Sequence, residues 1–245
     1  GVYRQMLKSG KPLNTPNLRH GLSAGEKLSA TVRSAWNSAT GTPIYEPFAI
    51  TECSPSIPGG PNHPATEGAL GRPQPGRNVS ILGANGPQPM GQPGGIAVHR
   101  DDPGLMLGYF DAPEQTAARY RDDWFMTGDE GVMDSDGQIT YLGRNDDMMN
   151  AGGFRVSPLE VEAVLGSAPG VISIGVTQVE IKADVEVIAA FYTAPQPLDE
   201  DALQRYAQEK LARYKQPRAY VYLDMLPSGA NGKLLRRALP AYFKG

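Results

Sequence analysis

The sequence predicts an α/β segment joined to a β-rich subdomain, followed by a small α+β carboxy-terminal domain. Three observations carry this: a helical pattern running into a short apolar strand before residue 50, a series of short strands punctuated by Gly, Pro and Asp-Gly across 78–141, and an α-β-β-α-β order across 157–223. Ala30, Val32, Ala35 and Trp36 recur at helical spacing from Ser29 to Trp36, ahead of Gly41 and Pro43, and Ile44 to Ile50 reads as one buried strand. The stretch from Ser54 to Gly76 is dense in proline and glycine and reads as irregular surface chain. Asn78 to Leu82, Gly95 to Val98 and Gln138 to Tyr141 then read as strands of a small antiparallel sheet or barrel, with Asp136-Gly137 as a hairpin turn. Thr127-Gly128-Asp129-Glu130-Gly131 reads as a loop ahead of that hairpin, in which Asp129 either reaches a ligand or lies in a solvated turn.

A second unit begins after Arg144. Ser157-Pro158-Leu159-Glu160 has the form of an N-cap, a proline at the first helical position and a capping-box glutamate, with Val161, Val164 and Leu165 on one face. Val171–Val179 and Val185–Thr193 read as strands. Leu203, Tyr206, Ala207, Leu211 and Tyr214 form a second amphipathic helix stopped by Pro217, and Ala219–Leu223 is a third strand. These limits divide the chain into 1–145, made of an α/β piece over 1–53 and a β-rich subdomain over about 68–145, and a domain over 146–245.

Composition narrows the classes of function. With 245 residues, 40% hydrophobic, 20% charged and a formal net charge of −3, the chain can bury a sizeable core and gives no electrostatic case for nucleic acid. The single cysteine, Cys53, can form neither an internal disulfide nor a cysteine metal cage and suits a reducing compartment, with the cytoplasm as the expectation. No run reaches the roughly 20 apolar residues that span a bilayer. The opening Gly-Val-Tyr-Arg-Gln-Met lacks the order of a secretion signal and reads like the middle of a domain, so an amino-terminal part of the protein is expected to be missing.

Four patterns bear on chemistry: Thr51-Glu52, Thr127-Gly128-Asp129, Gly143-Arg144-Asn145-Asp146-Asp147 with Gly152-Gly153-Phe154-Arg155, and Asn231-Gly232-Lys233-Leu234-Leu235-Arg236. Taken singly, each is an ordinary turn or loop. In this order and spacing they resemble the core motifs of the adenylate-forming superfamily of acyl-CoA synthetases, peptide-synthetase adenylation domains and luciferases. The resemblance covers the whole chain as roughly the second half of a full-length enzyme. It implies the adenylate-forming fold in truncated form, with a mobile carboxy-terminal domain and a two-step reaction. A carboxylate attacks the α-phosphate of ATP, releasing pyrophosphate, and the acyl-adenylate carbonyl is then attacked by the thiol of coenzyme A, leaving AMP.

By that resemblance Lys233 supplies the cation that meets charge developing at phosphorus, which lowers the barrier more than it stabilises the ground state. Glu52 would hold Mg2+ and Thr51 would offer a hydroxyl to phosphate. Asp129 would accept the ribose hydroxyls, and Arg144 would pair with ribose or phosphate oxygens. Arg155 would contact phosphate, Asp146 would be the hinge, and the Gly152-Gly153 loop would approach the pantetheine arm of coenzyme A. Gly25 and Glu26 resemble the segment that passes against adenine, though Ser-Ala-Gly-Glu also reads as a helix N-cap. Phe48 would line the nucleotide and acyl pockets or belong to the core. Ala49 stands where a glycine is usual, and Asn150 where a lysine is frequent.

The Ser/Thr/Gly-rich loop that wraps the β- and γ-phosphates in such enzymes has no counterpart between Gly1 and Ser23. The resemblance therefore implies an acid:CoA ligase whose fragment is inactive alone, and Asp101–Tyr109 with Ser23–Glu26 is similar to the branch acting on benzoate-like or medium-chain acids. An adenylation enzyme loading a carrier protein and a non-catalytic nucleotide- or partner-binding fragment are the alternatives.

Overall fold

A computed structural model describes residues 2–10, 12–24, 28, 30–57, 59–61, 64–66, 68–182, 185–229 and 232–244. The chain divides into two compact units, Gly1–Tyr141 and Leu142–Gly245.

In the first unit, α1 (Val2–Lys8) packs on α2 (Ala30–Thr40) through Tyr3, whose ring meets the buried Trp36 edge-on at 4.7 Å. β1 (Gly21–Leu22) runs parallel to β2 (Ile44–Tyr45). The run Ile44–Ile50 is not one strand. Glu46 turns to pair with Arg33 and Pro47 has no N–H to give a ladder, so β3 (Phe48–Ile50) starts afresh. β3 pairs antiparallel with β4 (Cys53–Ile57), which takes the first residues of the proline-rich stretch out of irregular chain and buries Ser56 and Ile57.

The β-rich part is one six-stranded sheet. Its strands are β5 (Val79–Gly83), β6 (Gly86–Pro87), β7 (Pro93–His99), then beyond α3 (Pro113–Ala117), β8 (Tyr120–Arg121), β9 (Trp124–Met133) and β10 (Ile139–Arg144). The spatial order is β10-β9-β7-β5-β6, with β8 paired to β9. The Asp136-Gly137 turn forms as expected: Asp134 accepts the N–H groups of Asp136 and Gln138, each at 2.9 Å, on its Oδ1. Ile57, Ile81, Ile96 and Ile139 meet in a core that also holds Phe48 and Tyr141, so the small β3–β4 sheet is fastened to the large one.

In the second unit, β11 (Met149–Ala151) and β12 (Phe154–Val156) form a hairpin ahead of α4 (Pro158–Leu165). Ser157 caps α4 by accepting the Glu160 N–H at 3.2 Å, while the Glu160 carboxylate turns away to Lys215 Nζ at 2.6 Å. β13 (Ser173–Lys182) and β14 (Val185–Thr193) are antiparallel. After α5 (Glu200–Lys210), β15 (Ala219–Tyr222) returns parallel to β14. α5 ends at Lys210 rather than at Tyr214. Leu211 turns extended to reach the core, and Arg213–Lys215 forms a single 3-10 turn before Pro217.

β14 is buried on both faces, which is why it reads as a continuous apolar run. Ile188, Ala190 and Tyr192 face the core with Val161, Leu165, Leu203 and Ala207 of the helices. Ala189 and Phe191 face a second cluster with Leu234 and with Leu239 of the terminal 3-10 segment Arg236–Tyr242. The expected α-β-β-α-β order is present, preceded by the hairpin and closed by that segment.

Asp102 is a buried carboxylate of the first unit, with no exposed side-chain area. Burial alone would raise its pKa. The N–H groups of Asn78 and Gly104 and the Arg77 guanidinium outweigh burial and hold it below the ordinary 3.8. Because the folded pKa is the lower one, this stabilisation is complete above 3.8 and is lost as pH falls through the native value. Asp102→Asn is expected to cost about 3 kcal/mol at neutral pH and to flatten the acid limb of the stability curve. Urea titrations at several pH values check both, and an unchanged midpoint at neutral pH would contradict the account.

Candidate functional site

β9 carries Asp129 inward. Gly95 pairs with Glu130 and Ala97 with Met126, so three residues of β9 face Ile96 alone. Thr127 and Asp129 keep the inward alternation of β9 through this bulge, which needs a backbone that only glycine adopts freely at the residue between them: Gly128 has φ +82°. Thr127 donates to the Ile96 carbonyl at 2.7 Å and accepts the Asp129 N–H at 3.1 Å. Asp129 is 4% exposed, and Tyr141 Oη donates to its Oδ1 at 3.1 Å. The expected loop at 127–131 is therefore an internal stretch of strand. Its alternation was hidden because Thr127 and Asp129 occupy the buried positions that apolar residues normally mark.

Thr51 and Glu52 are the two residues of the β3–β4 turn, closed by the Ile50–Cys53 pair. Thr51 is exposed and Glu52 half-buried. The segment 104–109 is strapped to Glu52. Ser54 N–H donates to the Gly104 carbonyl at 3.1 Å, Met106 N–H to the Glu52 carbonyl at 2.7 Å, and Tyr109 Oη to Glu52 Oε1 at 2.6 Å. The bond to the Glu52 carboxylate, with burial second, raises the Tyr109 phenol above its ordinary value. Phe48 lies half-buried in the core cluster with its ring 6.1 Å from that of Tyr141. Tyr141 thus joins two of the expected residues, Phe48 and Asp129. Sequence reading missed Tyr141 and Tyr109 as site residues because a tyrosine in or beside a strand looks like packing. Gly25 and Glu26 lie outside the described residues.

The remaining expected residues lie in the second unit. Arg144 is exposed, 3.5 Å from Asp146, which also pairs with Arg237. Arg155, also exposed, donates to Asn145 Oδ1 at 2.8 Å. Gly152 and Gly153 are the two-residue turn of the β11–β12 hairpin, with φ +58° and +85°, the signature of a type I′ turn. Gln178 of β13 fixes the base of that hairpin through both backbone groups of Asn150, at 2.9 and 2.7 Å. Lys233 is exposed on a turn closed by the Gly229 N–H to Lys233 carbonyl bond at 2.8 Å and by the Leu235 N–H to Pro227 carbonyl bond at 2.8 Å. Arg144, Asp146 and Arg155 therefore gather around the 3-10 turn Asn145–Asp147, while Lys233 and the glycine pair project from turns mounted on the same sheet.

Among the described residues, no three His, Cys, Asp or Glu side chains converge to hold a metal ion, and no helix is long and apolar enough to cross a membrane.

These features are those of an adenylate-forming enzyme, and the chain belongs to the AMP-binding enzyme family. The profile of the AMP-binding enzyme matches residues 1–110, and that of the AMP-binding enzyme C-terminal domain matches residues 160–233. Within the family the similarity is to acyl-CoA synthetases. The mitochondrial acyl-coenzyme A synthetase ACSM5 of Mus musculus is 36% identical over 91% of this chain, and the mitochondrial ACSM3 of Rattus norvegicus 35% over 97%. The chain spans 40% and 43% of the length of those two relatives. Among solved structures, ATP-bound MatB from Rhodopseudomonas palustris has a TM-score of 0.87 at 29% identity, covering 98% of this chain and 48% of that one. The O-succinylbenzoate coenzyme A synthetase of Bacillus subtilis with its acyl-adenylate intermediate has a TM-score of 0.82 at 28% identity, covering 97% and 49%.

Tyr141→Phe keeps the ring against Phe48 and removes only the donor to Asp129. It is expected to lower stability by about 1–2 kcal/mol, since a buried acceptor then loses a partner. Equal denaturation midpoints for the two proteins would show that the Asp129 carboxylate does not depend on Tyr141.

Proposed function

We propose that these residues serve an acid:CoA ligase that makes an acyl-adenylate from ATP and a carboxylic acid and passes the acyl group to coenzyme A. The observation that carries this reading is the presentation of Lys233, an exposed cation at the tip of a turn whose two sides are fastened, in a chain of the AMP-binding family.

Each residue has a role on this reading. Lys233 brings its ammonium group to the oxygen on which charge develops during adenylation, so its contribution belongs to the transition state of that step. Asp129 accepts the ribose hydroxyls. Its carboxylate rotation is set by Tyr141, and its low exposure strengthens any hydrogen bond it accepts. Arg144 and Arg155 contact ribose or phosphate oxygens, and Thr51 offers its hydroxyl to phosphate. Phe48 lines the pocket on its half-exposed side. Glu52 fits Mg2+, because one hard carboxylate with substrate phosphates is a common way to hold that ion and needs no cluster of protein ligands. When bound, Mg2+ would neutralise phosphate charge, while Tyr109 holds the Glu52 carboxylate in place.

The unit Leu142–Gly245 is the mobile domain of this proposal, with Asp146 as its hinge. The Gly152-Gly153 turn, exposed and without side chains, suits the approach of a narrow thiol arm to backbone. A reducing compartment completes the reading. Burial, the largest influence, pushes the Cys53 thiol up, which leaves it protonated and inert. The cytoplasm is the compartment proposed from sequence, whereas the relatives named above are mitochondrial.

In the complete enzyme carrying these residues, Lys233→Ala is expected to lower pyrophosphate exchange at least about 100-fold and to leave thioester formation from supplied acyl-adenylate nearly unchanged. Equal loss of both steps would overturn the role given to Lys233. The 245 residues alone, which span less than half of the relatives, are expected to show no pyrophosphate exchange. Exchange at the level of a complete ligase would refute that part of the proposal.

A further inference from the structure

Lys233 has four rotatable side-chain bonds and follows Gly232, so the two hydrogen bonds that close its turn do not by themselves set where its ammonium group stands. What limits the reach lies on the strand-like stretch that follows. Lys233 and Leu235 face outward, whereas Leu234 enters the cluster of Val179, Ala189, Phe191 and Leu239, and Arg236, the first residue of the terminal 3-10 segment, is turned inward.

The Arg236 side chain is only 12% exposed, and its guanidinium is held from three directions. Its Nη1 donates to Glu162 Oε1 on α4 and to the Val176 carbonyl on β13, its Nη2 lies 3.3 Å from Glu162 Oε2, and its Nε lies 3.6 Å from Asp147 Oδ2. Glu162, 13% exposed, accepts the Val176 N–H on the same Oε1 at 2.7 Å. Both polar groups of Val176 are thereby tied to the pair. A planar guanidinium with a fixed fork can bind a carboxylate and a carbonyl together and so fixes its own backbone in two directions. The next residue, Arg237, pairs with Asp146.

We infer that Arg236, held by Glu162, is a positioning residue for Lys233: it fixes the base of the lysine turn against α4, β13 and the 145–147 turn, and so sets where the ammonium group stands. This rests on the adenylation role proposed for Lys233. Arg236 touches no reacting atom in this account, and its effect is confined to the step that uses the lysine.

The test compares Arg236→Gln, Arg236→Lys, Glu162→Gln and Lys233→Ala in the complete enzyme, measuring pyrophosphate exchange, thioester formation from supplied acyl-adenylate, and thermal midpoint. Arg236→Gln is expected to lower the kcat of exchange about 10- to 100-fold, the scale of a misplacement near 1 Å, with the KM for ATP changed less than about threefold. Thioester formation should stay within about threefold of wild type, Arg236→Lys should recover part of the loss, and Glu162→Gln should lower exchange about 3- to 10-fold. Combining Arg236→Gln with Glu162→Gln should add little to Arg236→Gln alone, because the two act through one contact. Full exchange activity in Arg236→Gln, or equal loss of both steps in the folded variant, overturns the inference. If Arg236→Gln does not fold, Glu162→Gln and Arg236→Lys decide by the same two ratios. Lys233→Ala separates the two readings: if it keeps exchange activity, the role of Lys233 itself is wrong, whereas if it loses exchange and the Arg236 variants do not, only the positioning claim fails.

Discussion

A carboxylate withdrawn from water must be met by donors, and the way this chain meets four of them organises much of its structure. Asp102 takes Arg77 and two backbone N–H groups and so binds the start of β5 to the segment after β7. Asp129 takes Tyr141, Glu52 takes Tyr109, and Glu162 takes Arg236 with the Val176 N–H. In each case the partner comes from a different element, so one requirement of solvation becomes a tertiary constraint. Asp102 and Glu162 are structural fasteners. Asp129 and Glu52 use the same arrangement to hold the carboxylates to which the proposed function assigns the ribose and Mg2+.

The two units divide the proposed chemistry. Gly1–Tyr141 holds the groups suited to the sugar, the metal and the acid, and all of them are set by sheet geometry: a bulge, a two-residue turn and a ring on a strand. Leu142–Gly245 holds the lysine and the glycine turn, both projecting from loops whose bases are fixed on β13 through Arg236 and Gln178. Mounting loop residues on a rigid strand combines access with definition.

Much of the second unit could be read from the sequence. Ser157-Pro158 marks a helix start by local chemistry, and the long apolar run at 185–193 fits a strand covered on both faces. What escaped reading was decided by distant partners. Arg33 takes Glu46 out of an apparent strand, and Lys215 takes Glu160 out of its capping box. Helix α1 has no buried residue and is held by Tyr3 reaching Trp36 and the Leu22 carbonyl, so no periodic signal announced it. The site followed the same rule. Motif residues were visible as short words, but Tyr109, Tyr141 and Glu162 are defined by whom they touch, across gaps that no local pattern records.

The parallel pairing of β15 with β14 carries a kinetic consequence. An antiparallel neighbour such as β13 can close through a tight turn, but β15 must wait until residues 194–218, including α5, have folded back along the sheet. The strand that precedes the lysine turn is therefore joined through the longest loop closure of its sheet. The antiparallel β13–β14 pair needs only a short closure, whereas the Lys233 segment covers a face that is complete only once β15 has joined β14.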